Sequence, residues 1–85
     1  MEVRFHRNFE KKFSKLPPKI QQRFYNRSRI FFKNKSEKTL NNHEVDAAFP
    51  GCRSINITGD YRAIFHEQGG VATFITIGTH ADLYG

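Results

Sequence analysis

Two β-prone runs joined by Gly69-Gly70 constrain this chain more than any other feature, because a glycine pair supplies the positive φ angles that a tight hairpin needs. The stretch GDYRAIFHEQGGVATFITIGTHADLY, residues 59–84, reads as a strand from Tyr61 to His66, a turn at Gln68-Gly69-Gly70, and a strand from Val71 to Ile77 that Gly78 ends. A polar and aromatic tail with His80 and Tyr84 follows. Before it, Cys52 to Ile57 alternates in the period of a strand, and Thr58-Gly59-Asp60 supplies a turn, so three strands form an antiparallel meander.

The upstream half has the signals of a cover for this sheet. Val3 and Phe5 alternate with Arg4 and His6 in a short first strand. Asn8 is placed as the N-cap of a helix in which Phe9, Phe13 and Leu16 share one face. Pro17-Pro18 ends that helix and opens a second, from Lys19 to about Asn34, with Ile20, Phe24 and Phe31 inward. Asn34 to Asn42 is aperiodic and reads as a loop, and His43 to Phe49 leads to the Pro50-Gly51 turn.

The expected fold is therefore α+β: one domain spanning residues 1–85, ordered β-α-α-β-β-β, an antiparallel twisted sheet with a helical hairpin on one face. Strict alternation puts Ile55, Ile57, Ala63, Phe65, Ile75 and Ile77 toward the helices. It leaves Ser54, Asn56, Arg62, Ile64, Phe74 and Thr76 on an open face.

Composition narrows the class. A chain of 85 residues holds one small core, and nine Phe without Trp must fill much of it. Cys52 is alone, which excludes an internal disulfide. No apolar run approaches the roughly 20 residues of a membrane span, and charges come too early for a signal peptide, so a soluble cytoplasmic domain is expected. Residues 1–40 hold 12 of the 14 Lys and Arg against Glu2, Glu10 and Glu37, a balance of +9. The remainder balances at −3. A cationic N-terminal half suits a polyanion or an acidic protein partner, and it equally suits a face kept charged for solubility.

Chemistry has few candidates here. No acidic cluster, CxxC or HxxxH pattern suggests a metal site, no glycine-rich loop leads into a helix to hold a nucleotide, and no cofactor is implied. Cys52 has no neighbouring base in sequence and reads as a small core residue. His43, Asp60, Arg62 and His80 remain, each near a strand end. They fit one metal-free reaction, attack of a ribose 2′-OH on the adjacent phosphate, which needs a base, an acid and cationic groups for the developing charge. Tyr61 or Tyr84 could stack on an unpaired base. Taken singly, each histidine is as well explained as a surface or capping residue and Asp60 as a turn residue.

GCRSINITGDYRAIF, the hairpin and IGTHADLYG together resemble the C-terminal half of the RelE/ParE superfamily of bacterial toxin-antitoxin systems. The ending Gly78-Thr79-His80 with Leu83-Tyr84 is most similar to its YafQ branch of ribosome-dependent mRNA interferases. The resemblance implies a RelE-like fold and an endoribonuclease whose main acid/base group is His80, with His43, Asp60 and Arg62 as further catalytic residues. It implies substrate binding by Tyr61, Tyr84, Asn56 and Arg53. Asn56 stands where the branch has a second histidine, and Thr76 where it has an arginine, so Arg62 would have to compensate for the missing cation.

The implied partners are an acidic, partly disordered antitoxin in a toxin-antitoxin hetero-oligomer, the ribosome and mRNA, with no membrane. Because the superfamily includes gyrase poisons, a ParE-like toxin without nuclease activity is the alternative. A degenerate module that only binds its antitoxin is a third reading.

Overall fold

A computed structural model describes all of residues 1–85. The elements in chain order are β1 (Glu2–Phe5), α1 (Arg7–Ser14), α2 (Pro18–Lys33), β2 (His43–Glu44), β3 (Cys52–Asn56), β4 (Tyr61–Gln68), β5 (Val71–Thr79) and α3 (His80–Tyr84). They form one five-stranded sheet in the order β1-β5-β4-β3-β2. The α+β order and the meander are as the sequence predicts. Two details differ from the expectation: the sheet is mixed rather than wholly antiparallel, because β1 joins the edge of β5 in parallel, and His43–Glu44 adds a short antiparallel strand beyond β3. The hairpin turn has two residues, Gly69 at φ +58 and Gly70 at φ +76, and Gln68 pairs directly with Val71. Side chains with a Cβ resist that pair of left-handed conformations.

Alternation along β5 breaks at one residue. Ile64 pairs with Thr76 and Phe65 with Phe74, so Ile75 is the extra residue of a β-bulge. The bulge turns Phe74 from the expected open face into the core, where it meets Phe9, Phe24, Phe31 and Phe65 at ring-centroid distances of 5.4–5.8 Å. Ile75 is correspondingly displaced and only half-buried. A strictly period-2 reading has no means of registering one inserted residue.

The helix side is an aromatic core. Phe9, Phe24 and Phe31 from the helices pack on Ile55, Ile57, Ala63, Phe65, Ala72, Phe74 and Ile77, and Leu40, in a 3₁₀ turn at Lys38–Leu40 within the expected loop, seals one end with no exposed surface. Each aromatic pair contributes about 0.5–1.5 kcal/mol beyond its area burial, which lets so short a chain hold together without a disulfide. The cap of α1 differs from the expectation. His6 is the N-cap, its Nδ1 accepting from the backbone N–H of Asn8 at 3.0 Å, while the Asn8 amide reaches the Ile75 carbonyl.

β1 pairs only with Val71 to Phe74, so the edge of β5 beyond the bulge lacks a strand neighbour. α1 packs along this part of β5, and a covered edge is not available for pairing with another chain. The opposite sheet face is not open as predicted. Ser54, Ile64 and Thr76 are each at most 4% exposed. The β2-β3 connection and α3 close over them, with Phe49 against Tyr84 at 6.1 Å between ring centroids. β5 also runs through Gly78 to Thr79, and the tail is a helix.

Candidate active site

The short helix α3 is built by its first residues. Thr79 is its N-cap, accepting from the Asp82 N–H at 3.1 Å, while Asp82 Oδ2 accepts from the Thr79 N–H at 3.2 Å, a complete capping box. These side-chain and backbone hydrogen bonds with Thr79 hold the Asp82 carboxyl below the usual carboxylate range. The His80 N–H donates to the Asp60 carbonyl at 3.0 Å, which ties the helix to the β3-β4 turn. Gly78 lets the helix lie close on β5, because a Cβ there would sit 3.2 Å from Asp82 Cβ and 3.6 Å from Leu83 Cδ2.

This arrangement sets His80 and Tyr84 beside each other, ring centroids 4.7 Å apart. They border an open depression of about 470 Å³ together with His43, Glu44, Arg62 and the 45–48 segment. His43 comes from the far edge of the sheet. Its Nδ1 is 2.7 Å from the Asn41 carbonyl, and a carbonyl can only accept, so the neutral ring carries its proton on Nδ1 and leaves the Nε2 lone pair free. Arg62 is fixed by Nη1, which donates to the carbonyls of Thr58, Gly59 and Tyr61 at 3.1–3.2 Å. Its Nε and Nη2 have no protein acceptor and remain for an anion.

Four of the eight sequence candidates thus meet in one place: His43, Arg62, His80 and Tyr84. The other four do not. Asp60 is exposed on its turn and serves His80 through its backbone carbonyl, outside the depression's lining. Tyr61 packs against the core and borders a separate cleft with Lys12 and Lys15. Asn56 pairs with Arg62 across the sheet, but its Oδ1 is buried without a partner. Arg53 turns toward the strand that carries His43, Nε donating to Asn42 Oδ1 at 2.7 Å and Nη1 lying 3.7 Å from Glu44. It braces the His43 segment rather than lining the site.

One cation escaped the sequence reading. Lys12 extends from α1 to donate to Thr76 Oγ1 at 3.1 Å, so a positive charge does reach the position where Thr76 supplies none. A separation of 64 residues hides this pair from any local pattern. Burial raises the Cys52 thiol above its ordinary range, with the nearby Asp46 charge adding to the effect, which places Cys52 with the packing residues.

A five-stranded sheet with a helical hairpin on one face and a short C-terminal helix is the RelE-like toxin fold. No protein-family model matches the sequence, and no curated protein matches it. Solved structures do. YafQ from E. coli strain BL21(DE3) superposes with a TM-score of 0.80 at 19% identity, covering 99% of this chain and 98% of that one. The RelB-RelE antitoxin-toxin complex from Methanococcus jannaschii gives 0.76 at 18% identity over 96% and 95% of the two chains. The YoeB/ParE toxin from Agrobacterium tumefaciens gives 0.74 at 12% identity over 94% and 99%. This chain has the fold that these toxins share.

Proposed function

We propose that the chain is the toxin of a type II toxin-antitoxin pair and cleaves mRNA as an endoribonuclease. The observation that carries this reading is the convergence of His43, Arg62, His80 and Tyr84 on one depression from three separate segments, β2, β4 and α3. Nothing in their packing requires two imidazoles there.

The reaction follows from the donors and acceptors present. His43 Nε2, the free lone pair, takes the proton of the ribose 2′-OH, and the 2′-oxygen attacks the adjacent phosphorus. His80, in its protonated form, gives a proton to the departing 5′-oxygen. The Nε and Nη2 groups of Arg62 stabilise the charge that builds on the phosphoryl oxygens. Tyr84 offers a ring for a base beside the scissile bond. The products are a 2′,3′-cyclic phosphate and a 5′-hydroxyl, so protons and bonds balance without another reactant.

The basic half of the chain supplies the docking surface in this reading. Lys11, Lys15, Lys19, Arg23 and Lys33 are exposed on α1 and α2, suited to ribosomal RNA and to an acidic antitoxin segment. Reversing the charges of Lys19, Arg23 and Lys33 together weakens antitoxin binding if the partner lies there. Unchanged affinity rejects that placement.

A purified translation extract tests the activity. Wild type cleaves translated message and His80→Ala does not. Intact message together with blocked supercoiling by gyrase would instead identify a ParE-like mode of action.

A further inference from the structure

Lys12 and Arg29 are the anchored cations held by a neutral side chain without a carboxylate partner, Thr76 and Asn26, and of the two only Lys12 is held by a residue distant in sequence. Arg4, Lys35 and Arg53 face Glu2, Glu67 and Glu44, and Arg62 spends Nη1 on backbone carbonyls. The Lys12 ammonium has a single protein acceptor, Thr76 Oγ1, and no ion-pair partner. An ammonium has three donors, so two remain on a group that is already held in place.

The surroundings are those of an anion site. Lys12 borders a cleft of about 410 Å³ with His6, Asn8, Phe49, Thr76 and Asp82. The Asn8 N–H donates into His6 Nδ1, so the neutral His6 ring carries its proton on Nε2. That is the opposite tautomer from His43, and it makes His6 a donor where His43 is an acceptor. One group opposes an anion here. Asp82 borders the same cleft: its Oδ2 accepts from the Thr79 N–H in the capping box, and after the Thr79 hydrogen bonds the Lys12 charge also helps to hold its carboxyl low, so a bound anion competes with Asp82 for Lys12.

The cleft lies on the other flank of α3 from the His43–His80 depression: Asp82 borders the first and His80 and Tyr84 the second, with the Phe49–Tyr84 ring pair between them. A helix with its side chains is about 10 Å across, so a strand crossing it places different phosphates on the two sides.

We propose that this cleft is a phosphate subsite for a single-stranded nucleic acid, with Lys12 as its charged ligand and His6 Nε2–H as a second donor. It takes a phosphate flanking the one held by Arg62. The inference rests on the nuclease reading for the identity of the strand as RNA and for the neighbouring phosphate on Arg62, while the subsite itself rests on Lys12 and His6.

The test is a titration of the full chain with a 2′-O-methyl oligoribonucleotide, which binds but lacks the attacking hydroxyl, followed by amide shifts and by affinity against salt. The expected result is shifts at Asn8 and Thr76 in the wild type. Lys12→Gln binds about tenfold more weakly, and its dependence of log affinity on log salt is shallower by about 0.7, the share of one single-strand phosphate contact. Lys12→Arg keeps the wild-type slope, and Asp82→Asn, which preserves a capping oxygen, binds more tightly. Shifts at His43 and His80 without any at Asn8 and Thr76 overturn the subsite and leave the nuclease reading standing. Shifts at Asn8 and Thr76 alone support the subsite and count against the nuclease site. An unchanged salt slope in Lys12→Gln, or no shift anywhere, overturns the proposal.

Discussion

The backbone N–H of His80 donates to the carbonyl of Asp60 at 3.0 Å, so the helix that carries one imidazole is pinned to the turn whose carbonyls hold Arg62. His80 and Arg62 are therefore positioned by one piece of backbone. Asp60 enters the site through this bond, and its carboxylate is not needed for it. Asp60→Asn should leave activity within about threefold of wild type, because a surface substitution away from special features changes little. A loss of a hundredfold or more in message cleavage would return the carboxylate to the chemistry.

Gly78 sets the height of α3 on the sheet. A methyl at Gly78 meets Asp82 Cβ at 3.2 Å, tighter than ordinary contact, so in Gly78→Ala the first turn of α3 must give by a few tenths of an ångström. The expected cost to folding is about 1–3 kcal/mol, the range for overpacking. Cleavage should fall by much more than the folded fraction does, since a displacement near 1 Å at a catalytic group can cost about a hundredfold. Thermal melts and a cleavage assay on the same preparation separate the two effects.

Arg53 acts on His43 through the strand they share. Arg53→Ala removes the bonds to Asn42 and the approach to Glu44, and should lower the cleavage rate while leaving oligonucleotide affinity near that of wild type. A loss of affinity equal to the loss of rate would make Arg53 a substrate ligand instead.

The bulge at Ile75 predicts an inverted pair of core effects. Phe74→Ala should destabilise by about 3–5 kcal/mol, enough to unfold much of so small a domain, whereas Ile75→Ala should cost clearly less because that side chain is half-buried. Strict alternation along β5 predicts the reverse order, so urea melts of the two variants decide between them.

How far the sequence was legible follows from the range of each signal. The hairpin, the helix pair and the meander rest on local periodicity and on Gly and Pro, and all three appear at nearly the expected residues. Strict alternation assigns Phe74 to the wrong face because a bulge depends on how two strands pair. Ser54 and Thr76 were read as exposed because α3 and the Phe49 segment are too short to announce themselves as a second layer. Of the residues that border the depression, His43, Arg62 and His80 are legible as residue types near strand ends and Tyr84 as an aromatic of the tail. Tyr61 and Arg53 lie on the sheet face opposite to the depression, a separation that residue type alone does not carry. Lys12 carried no local mark at all.

The capping box of α3 has a definite pH response. The Asp82 carboxyl is held below its ordinary value of 3.8 by hydrogen bonds with Thr79, so the folded group binds its proton less readily than the unfolded one. Its contribution is present in full above that ordinary value and is lost as pH falls through the depressed one. The amides of residues 79–84 should therefore lose protection below about pH 4, ahead of the core strands, and Asp82→Ala should remove this acid step. Simultaneous loss in helix and core would contradict the assignment.

In the proposed reaction His43 and His80 are a base and acid pair on one phosphodiester. The ends of message cleaved on translating ribosomes test this pairing. The expected result is a 2′,3′-cyclic phosphate upstream and a 5′-hydroxyl downstream of each cut, with His43→Ala and His80→Ala each reducing cleavage by about 10²–10⁴-fold. A 5′-phosphate at the cut, or undiminished cleavage by either variant, contradicts the pair.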